Sequence, residues 1–173
     1  MTDIESLPLR APGGYNVIVE TPRGSRVKFA YDPETRLFRA KKLLAMGLSF
    51  PFPFGFFPST RAGDGDPLDV MLISDVDLLP GTLVHCRLIG VIMAEQQMEA
   101  GGSEVVRNDR LLAVPLLQHQ DRPPFDIYDL PEQELVDIEE FFRTYQQADG
   151  KLFEPIGRGD REAAEQLLRD SSL

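Results

Sequence analysis

The sequence predicts an α+β chain, a small closed or half-closed β-barrel with helices packed against it. Three observations carry that expectation. Over the first two-thirds, short alternating or β-branched runs are broken at close intervals by Gly and Pro, the pattern of many short strands. In the last third the apolar period lengthens to the helical one. The 173 residues, 42% hydrophobic and 27% charged, suit one domain over 1–173 with a substantial core.

The first strand is expected at Tyr15 to Glu20, with Val17 and Val19 on one face and Ile18 and Glu20 on the other. Thr-Pro-Arg-Gly-Ser supplies a turn, and Arg26 to Tyr31 then alternates, Val27, Phe29 and Tyr31 against Arg26, Lys28 and Ala30. Ser49 to Pro58 is too rich in Pro for a central strand, and its phenylalanines read as core and subunit-contact residues. Further strands are expected at Leu68 to Ile73, Thr82 to Met93 and Leu111 to Leu116. The polar stretch Glu95 to Val106, with Gly101-Gly102, reads as a mobile loop.

Asp129-Leu130-Pro131-Glu132 then starts a helix, with Pro early and acids in the first turn. Leu135, Ile138, Phe142 and Tyr145 recur along its buried face. A second helix is expected from Asp160, a good N-cap, burying Ala164, Leu167 and Leu168. Arg158 and Arg161 read as solvated charges flanking it.

A net charge of −10 repels nucleic-acid phosphates, so no nucleic acid is expected as a partner. No apolar stretch is long enough to cross a bilayer, so no membrane is expected either. The acidic N-terminus lacks the basic start and apolar core of a signal peptide. Cys86 has no second cysteine to pair with and is expected to be a buried small hydrophobe in a cytoplasmic protein.

The chemistry concentrates in Gly63-Asp64-Gly65-Asp66-Pro67-Leu68-Asp69-Val70, which runs straight into the apolar Met71-Leu72-Ile73. Three carboxylates so close beside a buried strand repel one another unless a cation neutralises them. Hard divalent ions with oxygen ligands do this best, which points to Mg²⁺, Mn²⁺ or Ca²⁺. An EF-hand is excluded because Asp69 stands where its turn needs Gly, and the flanks read as strands. A dehalogenase-type phosphatase would place Asp-x-Asp after its strand, and here the motif precedes it.

Asp64-Gly65-Asp66-Pro67-Leu68-Asp69-Val70 resembles the signature of the soluble (family I) inorganic pyrophosphatases. The likeness extends to Val19-Glu20-Thr21-Pro22, Val27-Lys28-Phe29, Phe50 to Gly55, Leu112-Ala113-Val114-Pro115, Asp129-Leu130-Pro131 and Phe141-Phe142-x-x-Tyr145. It covers roughly residues 15 to 168. It implies a five-stranded, oligonucleotide-binding-like (OB-like) barrel with flanking C-terminal helices, which hydrolyses inorganic pyrophosphate with Mg²⁺, Mn²⁺ being the alternative ion. It also implies a homo-oligomer, a hexamer.

By the same resemblance, Asp64 and Asp69 hold metal, and Asp66 lines the metal site and accepts a proton from the attacking water. Glu20 orients outer-sphere water, Lys28 grips phosphate, and Tyr145 hydrogen-bonds the departing phosphate. The resemblance also marks departures. Ala30 replaces an acidic residue, Phe50 and Phe54 replace tyrosines, Gln146 replaces a lysine, and Lys41 or Lys42 replaces an arginine. Of two later metal-binding aspartates, Glu95 stands in for the first. The second falls in Asn108-Asp109-Arg110, on Asn108 or, one residue on, on Asp109, with Arg110 in place of a lysine. Such changes lower the activity expected and leave two alternatives beside pyrophosphate hydrolysis: an impaired relative that binds metal and phosphate compounds, and a hydrolase of another phosphoanhydride.

Overall fold

The computed structural model describes residues 3–99 and 101–173. Its organising strand is β2 (Gly14–Thr21), buried from Tyr15 to Thr21 because it is paired along both sides. β1 (Arg10–Ala11) only extends its start. On one side of β2 lies β5 (Phe54–Phe56), on the other β7 (Leu83–Gln97), both antiparallel. β5 pairs with β6 (Asp69–Leu72), β6 runs parallel to β9 (Arg110–Pro115), and β9 returns to β7. Five strands therefore form a closed cycle of pairings.

Strand alternation splits the ring's side chains between two apolar clusters. Met71, Ile92 and Leu112 join one, and Val70, Leu72 and Leu111 join the other. α1 (Glu132–Gln147) closes the first with Leu135, Ile138 and Phe142. α2 (Arg161–Ser171) closes the second with Ala164 and Leu168, while Leu167 is half-buried. The Asp160 side chain caps α2 by accepting from Ala163 N at 2.9 Å, as its sequence predicts. Among the described residues no helix is long and apolar enough to cross a membrane. The fold is thus mixed and sheet-dominated, with two α-helices among the described residues.

Several expectations need correction. The proline-rich stretch does contain an interior strand, β5. Its three residues lie between Pro53 and Pro58, so no ladder donor is lost, and Pro53 contributes a carbonyl to Leu72 N at 2.8 Å. Phe50, Phe54, Phe56 and Phe57 are all buried within this chain, so packing within the chain accounts for them.

The stretch from Glu95 is largely a hairpin rather than a loop: β7 continues to Gln97 and pairs with β8 (Val105–Arg107). β10 (Leu152–Gly159) had no sequence signal beyond its ends, because Pro155 and two glycines disguise it. It tolerates them at the edge of the sheet, with a bulge between Pro155 and Gly157. Arg158 is not solvated but bonds Glu132 and Glu139 of α1 at 2.8 and 2.6 Å. Arg161 lies 4.6 Å over the Phe125 ring. Asp129 ends a short 3₁₀ turn, and α1 proper begins at Glu132 with Pro131 as its N-cap.

Cys86 is fully buried, and burial pushes its thiol far above the ordinary range. Folding therefore favours the protonated thiol. That contribution is complete below the unfolded thiol's pKa, about 8.5, and is lost as pH rises above it. Urea unfolding of Cys86→Ala should accordingly lose less stability between about pH 8 and 10 than the unsubstituted chain does. Equal losses would mean that Cys86 does not titrate on unfolding.

Candidate active site

The acidic loop is built by its own backbone. Ala62 N donates to Asp66 O at 2.7 Å, Gly65 N to Ala62 O at 3.0 Å, and Asp66 N to Asp64 Oδ1 at 3.0 Å. Leu68 N donates to the buried Thr60 hydroxyl at 2.9 Å, which pins the loop to the core. Asp64 and Asp66 are left exposed, while Asp69, at the start of β6, is half-buried. The Asp66 carboxyl is raised above its usual range, first by partial desolvation and then by repulsion from Asp64 and Asp69.

Parallel pairing of β6 with β9 brings Asp69 beside Arg110, and the two form an ion pair. Arg110 is only 5% exposed, and its guanidinium lies 5.1 Å over Phe142 and 5.9 Å over Phe153. Glu20, near the end of β2, is likewise buried and accepts from Tyr31 N at 2.7 Å. Burial raises its carboxyl, against the opposing pull of Lys28 and the Tyr31 amide.

Lys28 projects from β3 (Val27–Asp32), which with β4 (Leu37–Leu43) forms a separate hairpin. Its ammonium is 3.8 Å from Glu20 and 4.1 Å over the Phe54 ring. Burial lowers the Lys28 pKa, opposed by Glu20 and Asp69. Phe50 and Phe54 thus seat this cation on their ring faces, at 5.7 and 4.1 Å.

On β4 a bulge leaves Lys41 unpaired, since Lys28 faces Lys42 and Phe29 faces Ala40. Both lysines consequently turn toward the same space. Lys42 pairs with Asp149 and lies 3.7 Å over the Tyr145 ring. Burial raises the Tyr145 phenol.

These groups line one cavity of about 420 Å³: Glu20, Lys28, Lys41, Lys42, Asp66, Asp69, Arg110 and Tyr145 all face it. A second cavity, of about 670 Å³, takes in Asp64, Asn108 and Asp109 and shares Asp66, Asp69, Arg110, Gln146 and Lys151 with the first.

Among the described residues no three of His, Cys, Asp and Glu stand close enough to hold one metal ion by themselves. Mg²⁺ does not require such a cage. It keeps several waters and is held by one or two carboxylates together with substrate phosphate oxygens. Asp66 and Asp69, whose all-oxygen donors face both cavities, fit that mode.

The inorganic pyrophosphatase family model matches residues 17–172. The chain belongs to the inorganic pyrophosphatase family. It is 36% identical to the inorganic pyrophosphatase of Thermus thermophilus, across 98% of this chain and 95% of that relative. With that of Synechocystis it shares 33% identity, across 97% and 96% of the two chains. The crystal structure of the Thermus thermophilus inorganic pyrophosphatase superposes with a TM-score of 0.86 over 98% of this chain and 97% of that one, at 31% identity.

One residue expected as a metal ligand in this pyrophosphatase-family chain does not sit at the site. Glu95 is exposed and lines neither cavity. Side chains alternate along β7, and Ala94 and Gln96 take the buried positions, so Glu95 points outward. Gln96 takes the inward place and accepts from the Asn108 amide. Asp109 does line the second cavity, but its carboxylate is already engaged. Oδ1 accepts from Ala94 N at 3.0 Å, and the Arg107 guanidinium bonds both oxygens at 2.9 and 3.0 Å.

Sequence reasoning missed Glu5, Asp149 and Lys151, all of which line the first cavity. Glu5 lies far from any motif in sequence. Asp149 and Lys151 follow the end of α1 and carried no motif of their own.

Proposed function

We propose that this chain hydrolyses inorganic pyrophosphate to two phosphates, with Mg²⁺ as its working ion and Mn²⁺ as a substitute. It would do so as one cytoplasmic domain over 1–173, its ring of strands being an OB-like barrel. The observation that carries the reading is the convergence of carboxylates (Asp66, Asp69) and cations (Lys28, Lys41, Lys42, Arg110) with Tyr145 on one cavity. Carboxylates alone would repel a polyanion and cations alone would merely bind it. Facing sets can hold metal and phosphate together.

When bound, Mg²⁺ lowers the pKa of the attacking water and offsets charge on the phosphoryl oxygens. Asp66 and Asp69 would hold it together with waters and phosphate oxygens, Asp64 would contribute from the side of the second cavity, and Glu20 would act through water. Asp66 accepts the proton as water oxygen bonds to one phosphorus and the bond from that phosphorus to the bridging oxygen breaks. Lys28, Arg110 and the lysines of β4 orient the phosphoryl groups, and Tyr145 donates to the phosphate that leaves. Neutral Asn108 and Gln146 lower the expected rate, each lost charged partner costing roughly ten- to a hundredfold.

Phosphate release from pyrophosphate should be clear with Mg²⁺, vanish with a chelator and return with Mn²⁺. No release with either ion would overturn the reading. One observation favours an impaired relative instead: Asp69 is already neutralised by Arg110. That alternative predicts pyrophosphate binding without turnover, and release from a nucleotide panel alone would mark another phosphoanhydride as substrate. By the family resemblance we also expect a homo-oligomer, a hexamer, which sedimentation would reveal.

A further inference from the structure

The second cavity joins two unlike walls. One is the acidic loop, with Asp64, Asp66 and Asp69. The other comes from the β7–β8 hairpin and the segment after it, with Gln96, Arg107, Asn108 and Asp109. The groups of this second wall are engaged with one another. Asn108 N donates to Ala94 O at 2.9 Å, which folds the chain leaving β8 back onto β7. The Asn108 side-chain amide thereby meets Gln96 and donates to its Oε1. Gln96 is only 4% exposed, and its own amide nitrogen lies 3.5 Å from the Met98 sulfur. Asp109 is held by Ala94 N and by both oxygens on Arg107. Among the described residues, the one other carboxylate that lines this cavity from outside the loop is Glu104, exposed just before β8.

A hard divalent ion is held by oxygen ligands, and its affinity is set largely by how many of them are charged. At Gln96 and Asn108 the wall offers two neutral amides, and one of their oxygens already accepts a hydrogen bond. Arg107, Arg110 and Lys151 face the same cavity, so a second cation there meets like charge.

We propose that Gln96 and Asn108, clasped together, bar a divalent ion from the hairpin wall of the second cavity, so that the chain holds its ions at the acidic loop alone. The two amides thus set how many ions the site takes. The inference rests on the metal-dependent reading, and counting ions without substrate separates the two.

The test counts Mn²⁺ bound by the metal-stripped chain, by calorimetry and without substrate, with pyrophosphate turnover measured alongside. Gln96→Asp combined with Asn108→Asp should bind about one more Mn²⁺ per chain. Its thermal unfolding temperature should fall without Mn²⁺ and recover with it, because two facing carboxylates repel until a cation joins them. Should that variant fail to fold, Asn108→Asp alone should still tighten the weakest bound Mn²⁺ by about tenfold. Gln96→Ala opens the clasp without adding charge, and should leave Mn²⁺ binding within about twofold of the unsubstituted chain. The inference is overturned if the carboxylate variants bind Mn²⁺ no better than the unsubstituted chain, or if Gln96→Ala loses an ion. An unsubstituted chain that binds no Mn²⁺ would overturn it too. If the double variant gains an ion while neither chain releases phosphate from pyrophosphate, this inference stands and the hydrolytic reading falls.

Discussion

Asp66→Asn is expected to lower pyrophosphate hydrolysis by about 10²–10⁴-fold, the usual worth of a positioned proton acceptor. Asparagine keeps the shape of the side chain but cannot take the proton. The fold should not suffer. Asp66 contributes its backbone to the acidic loop, through bonds to Ala62 and to the Asp64 carboxylate, while its own carboxylate makes none among the described residues. Stability without metal should instead rise slightly, because the substitution relieves the repulsion from Asp64 and Asp69 that holds the Asp66 carboxyl up. Activity and stability therefore move in opposite directions, a contrast that a merely structural residue would not give. Phosphate release and chemical unfolding on the same preparation check both. Turnover within a few-fold of the unsubstituted chain would remove Asp66 from the proton-accepting role.

The largest effect on stability is expected from Gly55→Ala. A methyl group at position 55 would overlap the Ile18 carbonyl oxygen and stand 2.9 Å from its carbon and 3.1 Å from the Val19 Cα. Backbone cannot swing aside as a long side chain can. β2 is held between β5 and β7, so relief requires breaking pairings on one side. A loss above about 4 kcal/mol is expected, among the largest a point substitution gives and a large share of a typical domain's stability. Gly63→Ala is the control: nothing lies within 4 Å of the added methyl, and its effect should stay within about 0.5 kcal/mol. Urea unfolding of both variants measures the difference, and a Gly55→Ala chain as stable as the control would refute the tight β2–β5 approach.

What the sequence made legible was local. Strand alternation placed β2, β3, β6, β7 and β9, and the N-cap at Asp160 placed α2, because these signals lie within a few neighbouring residues. The acidic loop, Lys28, Arg110 and Tyr145 were visible for the same reason, each lying in or beside a compact motif. β5 and β10 were hidden because proline and glycine, which argue against strands, are harmless between flanking prolines or on a sheet edge. Glu95 was misplaced because one residue of register in a strand turns a side chain from cavity to solvent. The uncertainty between Lys41 and Lys42 had a structural cause as well: the bulge in β4 turns both toward the cavity. Ion pairing is a further layer that sequence spacing could not supply. Asp69 and Arg110 are distant in the chain and meet only through the parallel register of β6 and β9.

The closed cycle of pairings also governs how the chain acquires its chemistry. Glu20, Lys28, Asp66, Arg110 and Tyr145 arrive on five separate segments. The parallel contact of β6 with β9 bridges the whole intervening hairpin path. Such distant pairings pay loop-closure entropy before they return any stabilisation, so folding is expected on the slow, millisecond-to-second side for its size. Arg110 and Tyr145 lie on segments well beyond the acidic loop, so no fragment that ends before them brings the whole set together. Competence thus arrives in one step, with the final closure of the ring, and a nascent or truncated chain has no partial activity to offer.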